Sequence, residues 1–303
     1  MHIVRNLEGY SADADLLLTI GVFDGVHIGH RAVLNKLTAQ RKSGLLAGAL
    51  TFDHHPQEFL HPGHAPWLLT TVEEKINLLD ACGLDVLFLL PFDERIQSIP
   101  AEIFLRDLLL KRLRTKLLVV GENWRFGRNR TGDSALAQRI FAEAGSAFEA
   151  APLLESDGEK VSSSRIRSLI EQRAFDEADK LLGSPYTLNC LVGMGDGQGH
   201  GLGFPTVNLT VPSGKLVPPA GVYAARAHHD GRDYRAAVSI GDKPTFGGSV
   251  SVVEVHLLDF SRSIYGEMVS VRDWRFLREQ QWFASKDELA AAIRRDVEAV
   301  AKS

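Results

Sequence analysis

Between Leu16 and about Leu154 the chain alternates short apolar runs with amphipathic stretches: LLLTIGVF, HRAVLNKLTAQRKSG, LLAGALTF, TVEEKINLLDACG and DVLFLLPF. Short continuous apolar runs suit strands covered on both faces, and the intervening stretches carry apolar residues at helical spacing. The architecture that satisfies both is a parallel sheet whose crossover helices coat its two sides. AEIFLRDLLLKRL and KLLVVGEN continue the pattern. The first half is therefore expected to be a doubly wound α/β domain, with ligands held beyond the carboxyl ends of its strands.

After two short helical stretches, SRIRSLIEQ and FDEADKLLG, the pattern changes at Ser184-Pro185. TLNCLVGM, PTVNLTV, GVYAARAHH, YRAAVSIG, SVVEVHLLDF and MVSVRDW are β-branched or alternating and are separated by turn residues. They predict a compact antiparallel β-barrel. A last amphipathic helix, SKDELAAAIRRDVEAVA, opens with Ser285 as N-cap and Glu288 three residues on, a capping-box pattern. The fold expected is thus α/β plus β with a terminal helix, in two closely joined domains, 1–183 and 184–303.

A length of 303 residues fits two domains, and a formal net charge of −4 supplies no general attraction to nucleic acid or an anionic membrane. The two cysteines, Cys82 and Cys190, have no metal-type spacing and make no disulfide framework. No segment approaches the ~20 apolar residues of a membrane span, and the first residues are acidic where a signal peptide would be apolar. A soluble, cytoplasmic chain without a nucleic-acid or membrane partner is expected. The oligomeric state is not legible.

GVFDGVHIGH, residues 21 to 30, lies between a strand and an amphipathic helix. Gly21, Gly25 and Gly29 allow tight turns and close backbone approach, and His27 and His30 stand near a helix N-terminus, where unpaired amides favour phosphate. A bare helix cap is the plainer alternative. VSSSRIR, residues 161 to 167, opens a later helix with Ser163, Ser164 and Arg167, again suited either to phosphate or to simple capping. In GLGFPTVNL, residues 201 to 209, Thr206 and Asn208 point the same way along an extended stretch; they suit a hard cation such as Mg²⁺ or a polar strand edge.

Taken in order, these pieces resemble the bacterial bifunctional riboflavin kinase/FAD synthetases over about residues 16 to 300. HxGH and VSSSRIR resemble the two signatures of the nucleotidyltransferase superfamily, with Val161 and Ser164 as mild departures from ISSTxIR. TFDHHP (51–56), PFDERI (91–96) and VGENWRFGRNRTGD (120–133) are similar to the FAD synthetase half. GLGFPTVNL, PPAGVYA (218–224), SIGDKPTFG (239–247), VEVHLLDF (253–260), IYG (264–266) and FLRE (276–279) are similar to the riboflavin kinase half.

The resemblance implies that riboflavin and ATP give FMN and ADP in the C-terminal barrel, and that FMN and ATP give FAD and pyrophosphate in the N-terminal domain. It implies His27 and His30 as catalytic groups of the second reaction and Glu254 as the base of the first. Gly21, Phe23, Gly25, Gly29, Ser163, Ser164 and Arg167 would meet nucleotide phosphates in one half, and Gly199 and Gly203 in the other. Asn123, Phe126 and Arg278 would contact flavin, Phe126 being equally suited to plain core. Thr206 and Asn208 would hold Mg²⁺ brought with ATP.

Several positions depart from the family pattern. His54 stands for the usual proline of TFDPHP, His200 for an arginine, Val207 for alanine, Trp282 for lysine, and Met194 and Gly197 also differ. Histidine is largely neutral near pH 7 where arginine stays charged, so His200 is expected to weaken phosphate affinity. An enzyme with one altered half and a flavin-sensing regulator are the rival readings; product analysis separates them.

Overall fold

The computed structural model describes residues 1–8, 10, 12–193, 204–245 and 248–302, without the side chains of 242–245, 248–251 and 286. The chain divides into two compact units, Met1–Ser163 and Ser164–Ser303.

The first unit is built on six parallel strands: β1 (His2–Val4), β2 (Asp15–Ile20), β3 (Leu45–Phe52), β4 (Val86–Leu90), β5 (Thr115–Gly121) and β6 (Ala147–Ala151), ordered β1-β4-β3-β2-β5-β6. Successive side chains of a strand face opposite sides. Leu16, Leu18 and Ile20 accordingly enter one apolar layer with Phe88, Leu118 and Phe141, while Leu17 enters another with Ala47, Leu87 and Val119. The helix α1 (Ile28–Thr38) contributes Leu34 and Leu37 to the second layer.

Three short helices follow: α2 (Pro56–Leu60), α3 (Val72–Asp80) and α4 (Glu94–Gln97). Leu79 of α3 joins the second layer as well. The apolar stretch AEIFLRDLLLKR folds as α5 (Ala101–Ile103) running into a π-helical segment, Phe104–Arg112, and α6 (Ser134–Glu143) lies beyond β5. Both faces of the sheet are covered, which is the doubly wound arrangement that the unalternating strands predict. A two-stranded ribbon, β7 (Glu155–Ser156) and β8 (Glu159–Lys160), closes the unit.

In the second unit α7 (Ser163–Glu171) and α8 (Phe175–Leu182) precede a closed antiparallel barrel. Its strands are β9 (Leu188–Gly193), β10 (Val207–Thr210), β11 (Gly221–His229), β12 (Arg232–Thr245), β13 (Gly248–Leu257) and β14 (Met268–Arg278), ordered β10-β13-β12-β11-β14-β9. Gly183 ends α8 at φ 74, a left-handed cap that glycine adopts without a Cβ penalty. α8 packs on the barrel: Phe175 is buried edge-on to Tyr223 and stacked along Trp274.

The terminal helix α9 (Lys286–Ala301) is capped by Ser285, whose hydroxyl accepts from Glu288 N at 3.2 Å. The reciprocal bond of a capping box reaches one residue further back, from Ala284 N to Glu288 at 3.1 Å. Val300 and Val297 lay α9 over Ala224 and Ala237 on the outside of the barrel.

Candidate active sites

In the first unit the connection after β2 leads to β3 on one side, whereas β5 continues to β6 on the other. The crevice between β2 and β5 is therefore the topological switch point, where open α/β sheets hold ligands. A cavity of about 410 Å³ lies there. Its walls include Gly21, Phe23, His27, Gly29 and His30 after β2, Gly121, Asn123 and Trp124 at the end of β5, and Ser162 and Ser163 where α7 begins.

The turn after β2 is strained. Phe23 (φ 53), Gly25 (φ 81) and Val26 (φ 39) all adopt left-handed backbone, which costs non-glycine residues on the order of 1–3 kcal/mol each. Its buried Asp24 carboxylate holds it in place, accepting from Leu69 N at 3.0 Å and from Thr70 N at 3.0 Å and Thr70 Oγ1 at 3.2 Å. Thr70 Oγ1 in turn accepts from Gly25 N at 3.0 Å, and Ser163 donates to the Asp24 carbonyl at 2.9 Å.

The turn delivers a histidine pair. His27 caps α1, its Nδ1 accepting from His30 N at 3.3 Å, and the two rings stack with centroids 3.6 Å apart and 15° between planes. Gly29 makes room: a Cβ there would stand 3.2 Å from the His27 ring. His30 is half-buried, and its Nδ1 is shut off from solvent without a hydrogen-bond partner. Burial, reinforced by His27 and Lys75, pushes its pKa well below the usual imidazole value. The pair presents a neutral His30, and a proton on Nε2 avoids a buried unpaired Nδ1–H.

Asn123 lies exposed at the cavity wall, as a ligand contact requires. Phe126 does not line that cavity: it sits in the core at 6% exposure, stacked at 4.1 Å behind Trp124, which does. Ser164 and Arg167 fall on α7, beyond the division between the units.

In the barrel, Val253, Val255 and Leu257 of β13 point inward and are buried, so Glu254 and His256 project from the outer face. Glu254 lies directly opposite Asn208 of β10 and Ser239 of β12. Directly opposed residues share a face. A cavity of about 660 Å³ covers this face, lined by Thr206, Glu254 and Arg278 from the barrel side and by Trp282, Phe283 and Leu289 from the 279–285 loop and α9. His256 Nδ1 pairs with Pro205 O at 2.8 Å, which ties the Thr206 segment to β13. Arg278 is gripped by Asp296 of α9 through two bonds of 3.0 and 2.8 Å. Gly199, Gly203, Met194, Gly197 and His200 lie outside the described residues.

Sequence reasoning left out several of these groups. Lys75 was readable: it falls between Val72 and Leu79 at helical spacing, a charge on the apolar stripe of α3, and it is 7% exposed. Asp296 and Gln280 carry no such signal, because only the closed barrel brings α9 to β14. Gln280 spans Ser239 Oγ at 2.9 Å and Ile240 O at 3.0 Å, pinning the loop's first end. Of the departures, His54 is exposed and paired with Asp53 at 3.0 Å, outside the cavity lining, while Trp282 stands 87% exposed at the cavity rim.

The FAD synthetase family profile matches residues 10–165 and the riboflavin kinase profile residues 182–303. Over 301 residues the chain is 37% identical to the bifunctional riboflavin kinase/FMN adenylyltransferase of Escherichia coli K12, covering 98% of this chain and 96% of that one. This chain belongs to the bifunctional riboflavin kinase/FMN adenylyltransferase family. The Bacillus subtilis protein of the same name is 33% identical over 302 residues, covering 97% and 93%. In this family setting the two cavities fall one in each matched half. A solved structure described as a macrolide-efflux protein from Streptococcus pneumoniae shares the fold at TM-score 0.89 and 29% identity, over 99% of this chain and 98% of that one. Among the described residues here, no helix is long and apolar enough to cross a membrane.

Proposed function

We propose that the barrel transfers the γ-phosphoryl group of ATP to riboflavin, giving FMN and ADP, and that the first unit transfers the adenylyl group of a second ATP to FMN, giving FAD and pyrophosphate. The observation that carries this reading is that each matched half holds a cavity with the group its reaction needs: the stacked His27–His30 pair in one, Glu254 in the other.

In the kinase site Glu254 accepts the proton of the terminal ribityl hydroxyl as that oxygen attacks the γ-phosphorus and ADP leaves. Arg278, fixed by Asp296, and the aromatic 282–283 pair orient the flavin. Asn208, opposite Glu254, and Thr206, which lines the same cavity, supply neutral oxygens beside that carboxylate, a donor set that suits a hard cation. Among the described residues no three His, Cys, Asp or Glu side chains cluster closely enough to hold a metal, so Mg²⁺ would take its remaining ligands from ATP phosphates and water. Bound there, it would neutralise charge on the phosphates.

In the adenylyl-transfer site an FMN phosphate oxygen attacks the α-phosphorus of ATP and pyrophosphate leaves. His27 and His30 stabilise the charge that develops, with Gly21, Phe23, Gly25 and Gly29 shaping the phosphate turn and Ser163, Ser164 and Arg167 assigned to the leaving phosphates. Asn123 and the Trp124–Phe126 stack are assigned to the flavin side. Catalysis here is alignment plus electrostatics, and no covalent enzyme intermediate is needed.

The test is incubation with riboflavin, ATP and Mg²⁺, followed by chromatographic separation of the flavins. The wild type yields FMN and then FAD, and excess chelator stops both. His30→Ala accumulates FMN, with FAD formation reduced about 10²–10³-fold. Glu254→Gln loses FMN formation by about 10²–10⁴-fold yet still converts supplied FMN to FAD. A wild type that makes neither product, or a folded His30→Ala that loses both, overturns the assignment.

A further inference from the structure

We infer that Lys75 is a positioning residue of the adenylyl-transfer site, its ammonium bridging the carboxyl ends of β2 and β3 to hold the strained turn and setting a positive charge beside His30. The inference rests on the function proposed above for that cavity.

The geometry starts from α3. Thr71 caps this helix in a full capping box with Glu74, and the residues just before it, Leu69 and Thr70, bind the Asp24 carboxylate. One turn later Lys75 reaches past the helix, and its Nζ donates to Phe52 O at 2.6 Å and to Val22 O at 3.4 Å. Val22 O also accepts from Thr51 Oγ1 at 3.1 Å. Val22 opens the strained stretch of the turn and Phe52 ends β3. The same helix start thus grips the turn twice, through the Asp24 cage and through Lys75.

An ammonium 7% exposed is costly unless something nearby needs its charge. Phe52 O and Val22 O are neutral acceptors, which an amide could serve. The charged groups facing Lys75 are Asp24 from the turn, Asp53 after β3 and Glu58 from α2, with His30 of α1 on the other side. Burial outweighs the three carboxylates and brings the Lys75 pKa down to about 8, while its charge helps keep His30 neutral. Near pH 7 Lys75 is an ammonium and His30 an uncharged donor. As pH rises through 8 the amine still reaches both carbonyls, but the charge is gone.

The test compares the pH profile of kcat/KM for FAD formation from FMN and ATP in the wild type, Lys75→Arg and Lys75→Met, with FMN formation and thermal melting followed in parallel. The wild type loses activity as pH rises through about 8. Lys75→Arg keeps its charge throughout, so that alkaline fall disappears while activity at pH 7 stays within about tenfold. Lys75→Met drops about 100-fold at pH 7, lacks the alkaline fall, and moves the acid limb to higher pH because His30 protonates more readily. A merely structural lysine would lower the amplitude and leave the profile unmoved. An alkaline fall that persists in Lys75→Arg, or a wild-type rate in Lys75→Met, sinks the inference. If Lys75→Met does not fold, Lys75→Arg decides alone. A wild type that makes no FAD would instead defeat the assigned reaction, a separate result.

Discussion

At the scale of single residues, Asp24 shows how one buried carboxylate can hold a site together. Its carboxylate is the acceptor for two backbone amides and a hydroxyl in a buried setting. Asp24→Ala takes this shared acceptor away from those donors, each such bond being worth about 1–3 kcal/mol. The expected result is a loss of about 3 kcal/mol in urea unfolding of the first unit, with FAD formation collapsing and FMN formation persisting. Unchanged stability would show that the cage is dispensable. His27 and His30 were legible because strand, glycines and spacing occur together in ten residues. Lys75 was marked by its place on the apolar stripe of α3, though its partner lies 23 residues away, whereas Asp296 carried no mark, its partner 18 residues away being set by packing. Phe126 illustrates the limit from the other side. Sequence places an aromatic ring near the flavin side, but only packing shows that Trp124 faces the cavity and Phe126 stands behind it.

Among the elements, strands with unbroken apolar or β-branched runs were readable, the five-residue β4 and the four-residue β10 included, whereas β1 and β6 were not. β1 has three residues and β6 five, with two exposed positions in β6, too little pattern to separate from loop. α8 carries a prediction of its own. Asp179 accepts from Tyr186 N at 2.7 Å, and burial pushes its pKa up to about 6, with Asp273 and Asp176 adding to the rise. The folded state therefore binds this proton more tightly than the unfolded chain does. That stabilising contribution is present below the unfolded value near 4 and is lost as pH rises through 6. Asp179→Asn keeps the oxygen that Tyr186 N needs and removes the charge. It should raise the melting temperature most at pH 8, by about half as much at pH 5 and least as pH falls below 4, which calorimetry across that range measures.

For the whole molecule, we propose that the division of chemistry falls at 183/184, with every kinase group beyond it, while α7 and α8 fold with the barrel. Arg173 donates to Glu279 at 2.6 and 2.8 Å and to Ala220 O at 2.9 Å, and lies 3.8 Å over the Phe276 ring. Phe175 fills the space against Tyr223 and Trp274. A fragment of residues 164–303 should fold and phosphorylate riboflavin. One of residues 184–303 forfeits the Phe175 contact alone at about 3–5 kcal/mol, and should melt earlier and yield less FMN. Equal melting of the two fragments would show that α8 is dispensable to the barrel. One consequence follows from the side of the barrel on which its cavity lies. Along β13 the residues that fill the interior, Val253, Val255 and Leu257, alternate with those that face the ligand, Glu254 and His256. Substrate preference can therefore drift at outward positions other than the base Glu254, and in the 279–285 loop, without opening a void in the interior. Mutational tolerance on this strand should run in a two-residue rhythm, with selection for solubility and selection for substrate acting on interleaved sites.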